Sequence, residues 1–162
     1  MKKIIITFII LLITGVILFE KYDQWFVFPG LRVKVSNAMK DPNSTMFSNE
    51  KMTASGWMCG EVNAKNGYGA YAGYKRFFAA PLGDAYVEDI GHIPNKEKLS
   101  TNDLLEHSKN LLEDVNSRIA IKANLMAKRK QSEPTKQLSN DELDDLTMQT
   151  WFNERWKSLC KN

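Results

Sequence analysis

Sixteen residues near the N-terminus, Ile4 to Phe19, carry no charge, and Lys2-Lys3 stand directly before them. No other feature narrows the choice of fold as much. A helix over this run is roughly 24 Å long, a little short of the ~30 Å hydrocarbon core of a bilayer. Inside a water-soluble domain it would need apolar cover on every side. A basic pair ahead of an N-terminal apolar run reads instead as an export signal. No A-x-A-like cleavage triplet follows the run; the nearest, Ile13-Thr14-Gly15, lies inside it and is poor. The expectation is a retained anchor through residues 4–19, with a cleaved signal and a buried helix as alternatives. The basic pair keeps the N-terminus cytoplasmic by the positive-inside rule, and the rest of the chain lies across the membrane. Residues 1–28 then form the anchor and an interfacial segment with Trp25, Phe26 and Phe28, and residues 29–162 form the exported domain.

A formal charge of +3 is too mild for a phosphate-tracking surface, and no basic stripe interleaves with aromatic residues. Nucleic acid is therefore not an expected partner. The chain has two cysteines, Cys59 and Cys160, so a single intramolecular pairing exists. An exported address favours a bridge over two buried thiols.

Leu31, Val35 and Met39 share one helical face, and Pro42 stops that helix near Lys40. Asp41 and Ser44 suit turn hydrogen bonds, and Phe47 returns to the core. From Lys51 the pattern changes to period two, with glycines as weak spots. Asn66-Gly67 is the strongest hairpin dipeptide in the chain, because a type I′ turn needs positive φ at both central residues. Tyr68, Ala70, Ala72 and Tyr74 then alternate with Gly69, Tyr71, Gly73, Lys75 and Phe77. Ala85–Ile90 can add a strand after the Pro81-Leu82-Gly83 turn.

The stretch Cys59–Phe78 does not suit phosphate binding. Its glycines fall as Gly67-x-Gly69-x-x-x-Gly73, and strand-like aromatic residues follow where a helix N-terminus would be needed. A nucleophilic cysteine needs an imidazole base. The two histidines, His92 in a Gly-His-Ile-Pro turn and His107 on a helix surface, are not directed toward Cys59. No ligand spacing points to a metal, and no cofactor is expected. Glu61 with Asp84 or Glu88 offers paired carboxylates for hydrolysis, against the commoner reading of solvated surface charge.

From Leu99 the composition is helical, capped by Ser100 or Thr101. Leu105, Leu112, Ile119 and Met126 recur every seven residues, flanked by Leu104, Leu111 and Leu125, up to Lys128-Arg129-Lys130. A linker at 132–137 leads to the capping box Ser139–Glu142 and a second helix ending near Leu159, with Leu143, Leu146, Thr150, Trp156 and Leu159 inward. Both stripes can cover the sheet, or the first helix can project as an arm. Three heptads are marginal for a coiled coil, which favours cover.

The fold expected is α+β: an N-terminal transmembrane helix, a short helix, a small antiparallel sheet with an Asn-Gly hairpin, and a C-terminal helical hairpin. The combination Asp41-Pro42-x-Ser44-x-x-Phe47, Cys59-Gly60-x-Val62-Asn63-x-Lys65-Asn66-x-x-Gly69-x-Tyr71-x-Gly73 and Trp156-x-x-x-Cys160 resembles a group of small exported proteins and lipoproteins of Gram-negative bacteria and their prophages. The resemblance covers roughly residues 31–80 and the last ten. It implies a compact α+β domain closed by a Cys59–Cys160 disulfide and exported to the bacterial envelope; the inner-membrane placement with a periplasmic C-terminal domain rests on the apparent anchor. It brings no activity. The chain departs from the group in its apparent anchor and in a helical insertion at about 97–148.

The function expected is a non-enzymatic, membrane-anchored binding module that recognises another envelope protein, with phage exclusion or immunity to a delivered toxin as settings. Its contact residues are Asn63, Lys65, Tyr68, Tyr71 and Tyr74. The alternatives are an envelope hydrolase using the paired carboxylates, and a structural subunit whose copies self-associate through helix 101–130.

Overall fold

A computed structural model describes residues 2–81, 83–94, 100–131 and 138–161, with the side chains of 2–9, 19, 20, 130 and 131 outside the described set. Leu82 of the Pro81-Leu82-Gly83 turn, the start of the insertion at 95–99 and the 132–137 linker also lie outside it. The chain runs through α1 (Lys2–Tyr22), a π-helical turn (Asp23–Val27), α2 (Phe28–Ser36) and a 3₁₀ turn (Pro42–Ser44). Five strands follow, β1 (Met46–Met52), β2 (Met58–Asn63), β3 (Lys75–Ala79), β4 (Ala85–Val87) and β5 (Gly91–Ile93), then α3 (Thr101–Gln131) and α4 (Asn140–Cys160). The strands make one antiparallel sheet in sequence order, so the fold is α+β as expected.

Alternation along the strands gives the sheet two buried faces. On one, Met58, Val62, Phe77, Ala79, Ala85 and Val87 pack against Phe28, Leu31 and Val35 of α2. On the other, Cys59, Phe78 and Tyr86 pack against Trp151, Phe152 and Cys160 of α4. The Cys59–Cys160 disulfide spans 101 residues of sequence and fastens the end of α4 to β2. The capping box forms as expected, with Ser139 Oγ accepting from the Glu142 amide and Glu142 Oε2 from the Ser139 amide.

The expected membrane placement is corrected. Among the described residues no helix is long and apolar enough to cross a membrane, which overturns the single-pass inner-membrane anchor through residues 4–19. The physical reason is length. Sixteen uncharged residues give roughly 24 Å against ~30 Å of hydrocarbon, and α1 continues past them through Glu20 and Lys21 before Asp23 opens the π-helical turn.

Four local expectations are also revised. Helix α2 ends at Ser36, four residues before Lys40, and Ala38 and Met39 close short turns onto Val35 and Ser36. Strand structure begins at Met46, before Lys51, and a tight reversal at Thr53–Trp57 with Gly56 at φ +79° separates β1 from β2. The Ser55-Gly56 dipeptide is the signal for that turn. The Asn66-Gly67 reversal is not type I′: positive φ occurs at Gly69 (+79°), while Gly67 and Tyr68 keep ordinary backbone angles. This is the wider hairpin connection, a turn followed by one left-handed glycine. Finally, His92 lies in β5, not in a turn, because the reversal occurs earlier, at Glu88–Ile90 with Asp89 at φ +61°.

Helix α3 does not use its apolar stripe to cover the sheet. Leu105, Leu112, Ile119 and Met126 are 73%, 61%, 61% and 42% exposed. The side turned inward carries His107, Asp114, Arg118 and Ile121, which reach Asp84, Tyr86, Met148 and the Phe78–Trp151 cluster.

Candidate functional site

The connection between β2 and β3 is braced at several points. Asn66 Oδ1 accepts from the amides of Tyr68 (2.9 Å) and Ala70 (3.2 Å), so one side chain holds the turn. The Lys65 amide donates to Ser44 Oγ at 2.9 Å, tying the loop to the Asp41–Ser44 turn. Ala72 donates to the Ala64 carbonyl, and Lys65 bridges Tyr71. Gly69 and Gly73 sit at φ +79° and +95°, which breaks the alternation expected from Tyr68 to Tyr74; regular strand resumes only at Lys75.

On this frame Tyr68 is 98% exposed, Tyr71 47% and Tyr74 52%. The Lys65 ammonium lies 5.8 Å from the Tyr71 ring centroid. The structure therefore brings four of the five expected contact residues to one loop. Asn63 differs: it is buried at the end of β2, and its Oδ1 has no hydrogen-bond partner among the described residues.

A second cluster was not anticipated. Asp84, immediately before β4, is almost fully buried; His92 Nε2 lies 2.6 Å from its Oδ2 and His107 Nε2 3.8 Å from its Oδ1. Pairing of Tyr86 with His92 and of Ala85 with Ile93 makes Asp84 and His92 diagonal neighbours on one face. Next to them the Tyr86 hydroxyl donates to Asp114 Oδ2 at 2.9 Å. Burial pushes the Tyr86 phenol well above its ordinary range and also raises the Asp114 carboxyl. A groove of about 470 Å³ runs along this edge, lined by Trp57, Asp84, Tyr86, Glu106, His107 and Asp114 among others. Reading Val87–Gly91 as a hairpin would have revealed the cluster, since that register alone carries His92 to Asp84.

The paired-carboxylate expectation meets a different geometry. Glu61 and Arg76 are cross-strand partners, and Glu88 donates its amide to the Arg76 carbonyl, so Arg76 stands between the two acids. Glu88 Oε2 accepts from Arg76 Nε at 3.0 Å and its other oxygen from Nη2. These bonds hold the Glu88 carboxyl below its ordinary range. Glu61 accepts from Asn49 Nδ2 at 2.8 Å. Arg76 also reaches Asn153 at 2.7 Å and lies over the rings of Phe152 and Trp156, which makes it a fastening for α4. An acid held ionised by a bidentate arginine is a poor proton donor. Asp84 belongs to the histidine cluster and not to this row.

Among the described residues no group of three or more histidines, cysteines or acids has the geometry to hold a metal ion. No family model, no curated protein and no solved structure matches the chain.

Proposed function

We propose that this chain is a non-enzymatic recognition module that engages another protein through the tyrosine loop at residues 65–74. The observation that carries the reading is Tyr68, 98% exposed at the tip of a loop pinned by Asn66, Ser44 and the Lys65–Tyr71 bridge. A solvated tyrosine there adds nothing to the core, and a braced loop has already met the ordering cost that binding would impose. Tyrosine presents large contact area with few rotors, and three of them in seven residues concentrate it. The Cys59–Cys160 bridge suits an oxidising compartment, so a partner sharing that compartment fits best. The hydrolase alternative loses support because Arg76 stands between Glu61 and Glu88 and holds the Glu88 carboxyl in a bidentate pair.

The test is affinity capture with the full chain as bait, wild type against the Tyr68→Ser, Tyr71→Ser, Tyr74→Ser variant. These positions are at least 47% exposed, so the variant keeps its fold by circular dichroism. Partners held by the wild type and lost by the folded variant support the reading. An unchanged set of captured proteins refutes it.

A further inference from the structure

The heptad stripe of α3 faces solvent while the polar side of the helix faces the domain. Leu105, Leu112, Ile119 and Met126 continue with Leu104, Leu111 and Val115, which are 52%, 36% and 36% exposed. From Leu105 to Met126 the stripe runs roughly 32 Å along the helix. Such a surface needs an occupant. Its charges indicate which one. Leaving aside Asp114, which is buried against Tyr86, the first half of α3, residues 101–116, holds Asp103, Glu106 and Glu113 against Lys109 alone. Leaving aside Arg118 and Lys122, which are held within the domain at Met148 and Asp144, the second half, residues 117–131, holds Lys128, Arg129 and Lys130 and no acid. A copy laid head to tail sets the acidic half against the basic half at both ends; a copy laid parallel sets like against like.

We infer that α3 pairs with α3 of a second copy, antiparallel, about a two-fold axis between Val115 and Asn116. This interface is separate from the tyrosine loop and does not depend on its role. A two-fold pairing is self-complementary. In this register Leu105 falls opposite Met126 and Leu112 opposite Ile119. Ile119 borders a shallow groove of about 310 Å³ between α3 and α4, shared with Val115, Thr147 and Met148, which receives the Leu112 side chain of the second copy. Three heptads are marginal for free helices that must order on pairing. Here α3 is already ordered by Asp114, Arg118 and Lys122, bonded to Tyr86, Met148 and Asp144.

Sedimentation equilibrium on the full chain, with Leu112→Gln, Ile119→Gln as the variant, tests the pairing. All substituted side chains are exposed, and circular dichroism verifies that the variant folds. The wild type is expected to dimerise, and the variant's Kd to rise at least about 100-fold, since each symmetric contact is lost twice. Orientation is read with a short bismaleimide, because the described cysteines are both in the bridge. Ser108→Cys mixed with Ala123→Cys should crosslink, and Ser108→Cys alone should not. A monomeric wild type, a double variant that stays dimeric, or efficient crosslinking of Ser108→Cys with itself overturns the inference.

Discussion

The bond between Tyr86 and Asp114 joins the sheet to α3, and Tyr86→Phe isolates it. The substitution removes one oxygen and keeps the ring between Phe78 and Trp151, whose centroids are each 5.0 Å away. What is lost is one buried hydrogen bond, 2.9 Å long, to a carboxylate. Bonds to charged groups contribute about 1.5–3 kcal/mol, and neutral ones about 0.5–1.5 kcal/mol. Asp114 keeps Arg155 Nε at 3.3 Å, so the expected loss at about pH 7 is the bond itself, ~1.5–3 kcal/mol. The pH dependence follows from burial, the largest influence on Asp114, which raises its carboxyl in the native state. The folded protein then takes up this proton at a higher pH than the unfolded chain does. The stabilisation from protonation is complete below the ordinary carboxylate range and is lost as pH rises through the elevated native value. In acid the bond to Tyr86 is a neutral one, so the penalty of Tyr86→Phe should fall to about 0.5–1.5 kcal/mol. Urea unfolding followed by tryptophan fluorescence, at about pH 7 and again near pH 3.5, measures both values. Asp114→Asn should abolish the difference between the two conditions. A penalty below ~0.5 kcal/mol at neutral pH, or one equal at both pH values, refutes the reasoning.

Gly60 in β2 offers a test of packing in which the sign is decisive. A Cβ there would lie 2.8 Å from Cε1 of the buried Phe77 ring and 3.2 Å from Glu50 Cγ, so Gly60→Ala should destabilise by ~1–3 kcal/mol. Strand propensity alone would give a gain of about 0.5–1 kcal/mol, and a denaturation midpoint shifted upward would show that the ring yields. Reduction of the Cys59–Cys160 bridge frees a loop of 101 residues in the unfolded chain, worth up to about 4.7 kcal/mol in the chain-entropy account. Unfolding with and without reductant, compared with a Cys59→Ser, Cys160→Ser variant, should show a loss of several kcal/mol; a change under ~1 kcal/mol would mean that the unfolded chain is already compact.

Elements whose signals are local were legible in the sequence. The capping box at Ser139–Glu142 placed the start of α4, and Leu31 and Val35 identified the buried side of α2. Two cysteines left a single pairing, which the fold makes. Errors arose where a local signal has more than one solution. Asn-Gly permits a two-residue turn, but Asn66 Oδ1 takes two amides and moves the left-handed position to Gly69, lengthening the loop that carries the tyrosines. Gly91 and Pro94 around His92 suggest a turn, whereas Gly91 at φ +92° enters a strand. Asp84 and His107 are joined only through tertiary packing, and no spacing in the chain encodes their approach.

The sidedness of α3 was lost for a more general reason. Reading an amphipathic helix assumes that the apolar stripe faces the core. That assumption fails when the polar face finds enough partners among side chains distant in sequence. Here Asp114 meets Tyr86 and Arg155, Arg118 lies 5.4 Å from the Trp151 ring, and Lys122 pairs with Asp144. Such contacts are directional, whereas apolar burial tolerates rotation of the helix about its axis. A helix docked by directional bonds holds one azimuth, and a fixed azimuth is what a row of exposed leucines requires in order to meet a partner in register. The polar inner face and the apolar outer face of α3 are thus two parts of one arrangement: the first orients the helix, and in the proposed pairing the second uses that orientation.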